Sequence, residues 1–127
     1  MLIQKARQRI TALEMHRTRF ALKAVLIDFG VVAAVNEAAA RLARDVGIDH
    51  LIWQDPDHEG FVLRHLPECQ TRRPPRGRSL DALLREWPEY SKPMAAAQLA
   101  IRLELAHVHR ACAVEAELQR FIQAIGL

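Results

Sequence analysis

"FALKAVLIDFGVVAAV", residues 20–35, is the most apolar stretch of the chain, and its reading as helix or strand decides the fold. Lys23 and Asp28 interrupt it, and it is too short to cross a bilayer. Around it, apolar residues recur at Ile3, Ala6, Ile10 and Leu13, then at Phe20, Ala24, Ile27, Val31, Ala34 and Ala38. Such alternating steps of three and four mark the seam of a packed helix, so a buried helix is expected here. Arg17 breaks the seam. Gly30 suits the left-handed position that ends a helix, whereas inside one bent helix reaching Val46 it would cost about 1 kcal/mol against alanine. The expectation is two helices, about 3–29 and 31–46, the second closed by Gly47.

Downstream, "HLIWQDPDHEGFVLRHL" places Leu51–Trp53 and Phe61–Leu63 on either side of a proline- and glycine-containing turn, which predicts a β-hairpin over about 51–63. "TRRPPRGRS" over 71–79 reads as an arginine and proline loop. Ser79 is a plausible N-cap for a helix over 80–87 that Pro88 terminates. Beyond Pro93 no helix breaker occurs until Gly126, so one helix over 94–125 is expected, roughly 48 Å long at the standard rise. A rod that long exceeds a compact domain of this size and must be covered by helix one or by a second copy. These readings combine into a mainly α fold, a single-domain helical bundle over 1–127 with long N- and C-terminal helices and a small β-hairpin insertion. An oligomer, or a subunit of a larger assembly, is the expected state.

Half of the 127 residues are apolar and the net charge is only +3, an ordinary globular composition. The charge is unevenly spread. Residues 1–27 carry six basic side chains against Glu14, residues 28–60 two against seven acids, and residues 61–80 five arginines against Glu68. Two cysteines, at 69 and 112, make no disulfide framework and point to a reducing, cytoplasmic setting. Leu2 and Ile3 are followed by Lys5, Arg7 and Arg9, which is not a secretory pattern, and no membrane association is expected.

Two basic features converge on one partner class. On a continuous first helix Lys5, Arg9, His16, Arg19 and Lys23 would fall within about 80° of one another, a row roughly 27 Å long that could track phosphates. The same residues would equally serve to keep a helix face solvated. In the loop, Pro74 and Pro75 favour an extended backbone from which Arg72, Arg73, Arg76 and Arg78 project. The planar guanidinium fork suits phosphate, although short arginine loops also pair with a protein's own acids.

Other chemistries fit poorly. "NEAAARLARDVGID" would run a recognition helix into Pro56, and the would-be turn of a second helix-turn-helix, Glu104 to Ala106, contains only good helix formers. "DPDHEG" imitates the start of a calcium loop, but the twelfth position is Leu66 rather than a bidentate glutamate. His65 and Cys69, with His109 and Cys112, form a weak zinc candidate that requires the loop to fold back on the last helix. No nucleophile elbow or phosphate loop is present, and "DFG" at 28–30 stands without companion kinase motifs. The expectation is a non-catalytic, cofactor-free protein. It would bind the backbone of DNA or RNA through Lys5, Arg9, Arg19, Lys23, Arg72, Arg73, Arg76 and Arg78, as an accessory subunit or regulator in a nucleoprotein complex. The alternative is a helical protein–protein adaptor.

Overall fold

The computed structural model describes residues 2–15, 20–92 and 96–127. In chain order the elements are α1 (Leu2–Met15), β1 (Ala24–Asp28), α2 (Ala33–Asp45), β2 (His50–Gln54), α3 (His58–Leu63), α4 (Ser79–Glu86), α5 (Ala96–Arg102), α6 (Leu105–Cys112) and α7 (Ala116–Ala124). The fold is mainly helical, with one small sheet of two parallel strands. The chain divides into two compact units, Met1–Trp53 and Gln54–Leu127.

In the first unit, the stretch over 20–35 is not a helix. Its centre is β1, and the expected helix over 3–29 is replaced by α1 and a strand. A run that is apolar at nearly every position satisfies both periods, and here the two-residue period wins. Val25 and Ile27 face the core while Leu26 and Asp28 are exposed, and branched side chains at 25 and 27 suit a pleated surface. The expected hairpin is overturned as well. β2 pairs in parallel with β1, and Phe61–Leu63 belongs to helix α3. Parallel strands need a crossover, which α2 supplies. The ladder starts where Asp49 and His50 donate backbone N–H groups to the Lys23 carbonyl at 2.8 and 3.1 Å, and the Asp49 carboxylate accepts from the Lys23 N–H at 2.8 Å.

α1 and α2 cover one face of this sheet. Ile3, Ala39, Ala43 and Ile48 pack with Val25, joined by Ile10, Ile27, Leu51 and Trp53. α2 ends in a Schellman motif, with Gly47 at φ +78° donating to Arg44 and Ile48 donating to Ala43. Val31, Ala34 and Ala38, expected in the seam, are exposed instead.

In the second unit, Val62, Leu63, Leu66 and Cys69 pack with Ala82, Leu83, Trp87 and Tyr90 of α4 and its exit. Gly60 permits this approach, because a Cβ there would lie 2.8 Å from Pro56 Cδ and 3.0 Å from Ser79 Oγ. Ser79 opens α4 but its side chain does not cap it; it is fully buried and its hydroxyl has no hydrogen-bond partner among the described residues. The expected helix over 94–125 is broken into α5, α6 and α7. At the first break Glu104 and His107 form a reciprocal capping box, the His107 Nδ1 accepting the Glu104 N–H at 3.1 Å. At the second, Glu115 takes a non-helical N-cap conformation and its carboxylate pairs with Arg64. Both breaks are made by side chains, which helix propensity cannot register. The long rod that called for an oligomer therefore does not exist.

Candidate anion-binding pocket

Arg72, Arg73, Arg78 and Arg85 line one surface cavity of about 480 Å³ in the second unit, together with Pro74, Pro75, Asp81 and Ala82. Local sequence builds the wall. Two adjacent prolines stiffen the strand-like entry. A turn follows, closed by the Arg78 N–H donating to the Pro75 carbonyl at 2.9 Å, with Gly77 at φ +85° in its third position. That turn brings the chain back so that Arg78 immediately precedes α4. Arg85 lies seven positions on, two helical turns along the same face.

Most of these cations meet carboxylates of the same unit. Arg72 Nη1 lies 2.6 Å from Glu86 Oε1 and also contacts Cys69 Sγ at 3.6 Å. Arg73 lies 3.7 Å from Asp55, and Arg78 lies 3.9 Å from Asp81. All three pairs are solvent-exposed, and the Glu86 hydrogen bond, followed by the Cys69 contact, raises the Arg72 pKa further. Arg85 has no ion-pair partner among the described residues. Arg76 is exposed but does not line the cavity.

The first-unit cations are arranged differently from the expected row. Lys5 and Arg9 are exposed on α1, four residues apart and on one face. Residues 20–23 are not helical, so Lys23 does not continue the row; it precedes β1 and its Nζ lies 3.4 Å from Glu14. His16 and Arg19 fall outside the described residues.

The acids at 55, 57 and 59 are structural. Asp57 Oδ1 caps α3 by accepting from the Gly60 N–H at 2.9 Å. Glu59 is buried, accepts from Tyr90 Oη at 3.3 Å and meets Lys92 Nζ at 3.1 Å. Burial alone would push its carboxyl up, but the Lys92 hydrogen bond and neighbouring charge leave it below the usual value. Arg64 is fully enclosed, its Nε donating to Glu115 and its Nη2 to the Asp55 carbonyl.

The four zinc candidates are not assembled: among the described residues no three histidine, cysteine or acidic side chains come together as a metal site. His65 is buried, its Nδ1 donating to the Phe61 carbonyl at 2.9 Å, and burial pushes its imidazole pKa down. Cys69 belongs to the hydrophobic core, while His109 and Cys112 line a small cavity beside α7.

Sequence reasoning missed Arg85, although its seven-residue offset from Arg78 on a helix that starts at Ser79 could have found it. It also missed a mostly apolar recess in the first unit, of about 370 Å³, where Phe29 and Trp53 meet edge-to-face at 5.3 Å beside Gly30, Val31 and Asn36. No described helix is long and apolar enough to cross a membrane. No family model, no curated protein and no solved structure matches the chain.

Proposed function

We propose that the chain is a non-catalytic nucleic-acid-binding protein that holds the phosphate backbone, as an accessory subunit or regulator of a nucleoprotein complex. One observation carries this reading: four arginines share the wall of one cavity with a single carboxylate, Asp81. The internal ion pairs do not argue strongly against it. Exposed pairs contribute about 0.2–1 kcal/mol each, so a phosphate oxygen can replace a carboxylate at small cost. Arg76 at the rim of the loop is a further exposed cation of the second unit, and Lys5 and Arg9 are exposed on α1 of the first. The absence of interleaved aromatics on the arginine wall favours backbone contact over base stacking. Two free, buried cysteines support a reducing compartment such as the cytoplasm.

Binding of mixed-sequence DNA and RNA at low salt tests it. The expected result is affinity that falls steeply as salt rises, because each phosphate contact releases counterions. Absent or salt-insensitive binding overturns the reading.

A second reading, an oligomerisation or adaptor surface, is favoured by a separate feature. Val31 is 80% exposed, and Val32 and Val35 are more than half exposed, at the start of α2. Concentration-dependent light scattering that stays monomeric removes it.

A further inference from the structure

We infer that the arginine cavity selects a terminal phosphate monoester of a nucleic-acid strand over the phosphodiesters along it. The inference rests on the nucleic-acid reading above and specifies which phosphate the pocket takes.

The argument is one of charge exchange. Four guanidinium groups line the cavity, and Glu86, Asp55 and Asp81 already offset three of them. A phosphodiester carries one negative charge. Entering the pocket, it substitutes for one carboxylate and leaves the local balance almost unchanged. A phosphate monoester carries about −1.5 to −2 at neutral pH, because its second ionisation lies near 6. It can displace one carboxylate and still satisfy Arg85, which has no carboxylate of its own among the described residues. Its three terminal oxygens also accept several forked guanidinium bonds at once, whereas a diester offers two unbridged oxygens along a continuous chain.

The cavity, about 480 Å³, falls within the size range of ordinary ligand clefts and has room for a strand end with its phosphate. The Pro74–Pro75 segment and α4 both contribute to its wall.

The test uses the full chain and short single strands of one sequence, ending in 5′-phosphate, 3′-phosphate or hydroxyl, with binding read by fluorescence anisotropy. A phosphoserine peptide of matched charge is a further arm. A phosphate-ended strand is expected to bind at least about five-fold tighter than the hydroxyl-ended strand near pH 7.5, with the preference fading toward about pH 5 as the monoester takes up its second proton. Arg85→Gln should weaken binding of both strands and bring their affinities to within about two-fold of each other, since the monoester's extra charge then loses the guanidinium that has no carboxylate of its own. Equal affinity for all strands overturns this inference and leaves backbone binding standing. No binding of any strand overturns both. Peptide binding as tight as that of the phosphate-ended strand overturns the assignment to nucleic acid. The comparison among strands needs no variant, so a misfolded Arg85→Gln protein would not rescue the idea.

Discussion

The side-chain amide of Asn36 engages both backbone groups of Gly30: Oδ1 accepts the Gly30 N–H at 2.9 Å, and Nδ2 donates to the Gly30 carbonyl at 2.8 Å. This clamp joins the exit of β1 to the first turn of α2, where Val32 provides no side-chain cap. It also explains the glycine, since a Cβ at 30 would stand 2.9 Å from Asn36 Oδ1. Asn36→Ala should lower stability by about 1–3 kcal/mol, the worth of two partly buried hydrogen bonds. Asn36→Asp keeps the acceptor but turns the donor into a second oxygen facing the carbonyl, so it should restore little. Urea denaturation of the two variants measures this; an unchanged midpoint for both would mean that the clamp does not hold the turn.

Arg64 and Glu115 set a second dependence, in the other unit. Arg64 is fully enclosed, with Nη1 unpartnered among the described residues, so its charge rests mainly on the Glu115 carboxylate and the Asp55 carbonyl. Glu115→Ala leaves a buried cation and should cost roughly 3–5 kcal/mol. Pairing it with Arg64→Met removes that cation and should recover much of the loss. Denaturation midpoints of the two variants decide the matter, and equal destabilisation would show that the pair is not the cause.

The relation between sequence and fold follows from these two contacts. Helices α2 and α4 were legible because their ends are written locally: Gly47 supplies the left-handed stop, and Pro88 follows closely after Glu86. β1 was not legible, because Ala24, Ile27 and Val31 fit a helical period while Val25 and Ile27 fit a strand, and only pairing with a strand some 25 residues away decides between them. The second C-terminal break was hidden for the same reason. Glu115 looks like a helix former until Arg64, 51 positions earlier, takes its carboxylate.

The basic features divide in the same way. Arg72, Arg73 and Arg78 could be read from their loop, and they do share a cavity. The row ending at Lys23 assumed a helix through residues 20–23, which are not helical. Arg85 was within reach of the sequence as well, two helical turns beyond Arg78 on a helix expected over 80–87, but it lies outside the loop that drew the reading.

Tyr90 is the chain's sole tyrosine, so phenolate absorbance reports it directly. Burial pushes its hydroxyl up to about 12, and the Glu59 carboxylate, which accepts its O–H bond at 3.3 Å, adds to the shift. The folded value lies above the ordinary 10.0, so the associated stability is complete below pH 10 and is lost as pH rises through about 12. Titration of the folded protein should therefore lag behind titration in denaturant. Glu59→Gln should bring the folded value down and leave the denatured one unchanged. Coincident folded and denatured curves in the unmodified protein would contradict the buried contact.

Glu86 offers a way to expose the arginine wall without touching an arginine. Its Oε1 lies 2.6 Å from Arg72 Nη1, yet both side chains are exposed, so Glu86→Gln should change folding stability by less than about 0.5 kcal/mol. Its effect on binding should be larger. A released guanidinium can take one more phosphate contact, which steepens the logarithmic salt dependence by about one unit. Affinity for mixed-sequence strands at low salt should rise about two- to five-fold, the equivalent of one exposed ion pair no longer broken on binding. Arg72→Ala should move both quantities in the opposite direction, and the double variant should resemble Arg72→Ala alone. Were Glu86→Gln to leave affinity and salt slope unchanged while Arg72→Ala still weakened binding, Glu86 would not compete with the ligand, and Arg72 would reach phosphate with its internal partner still attached.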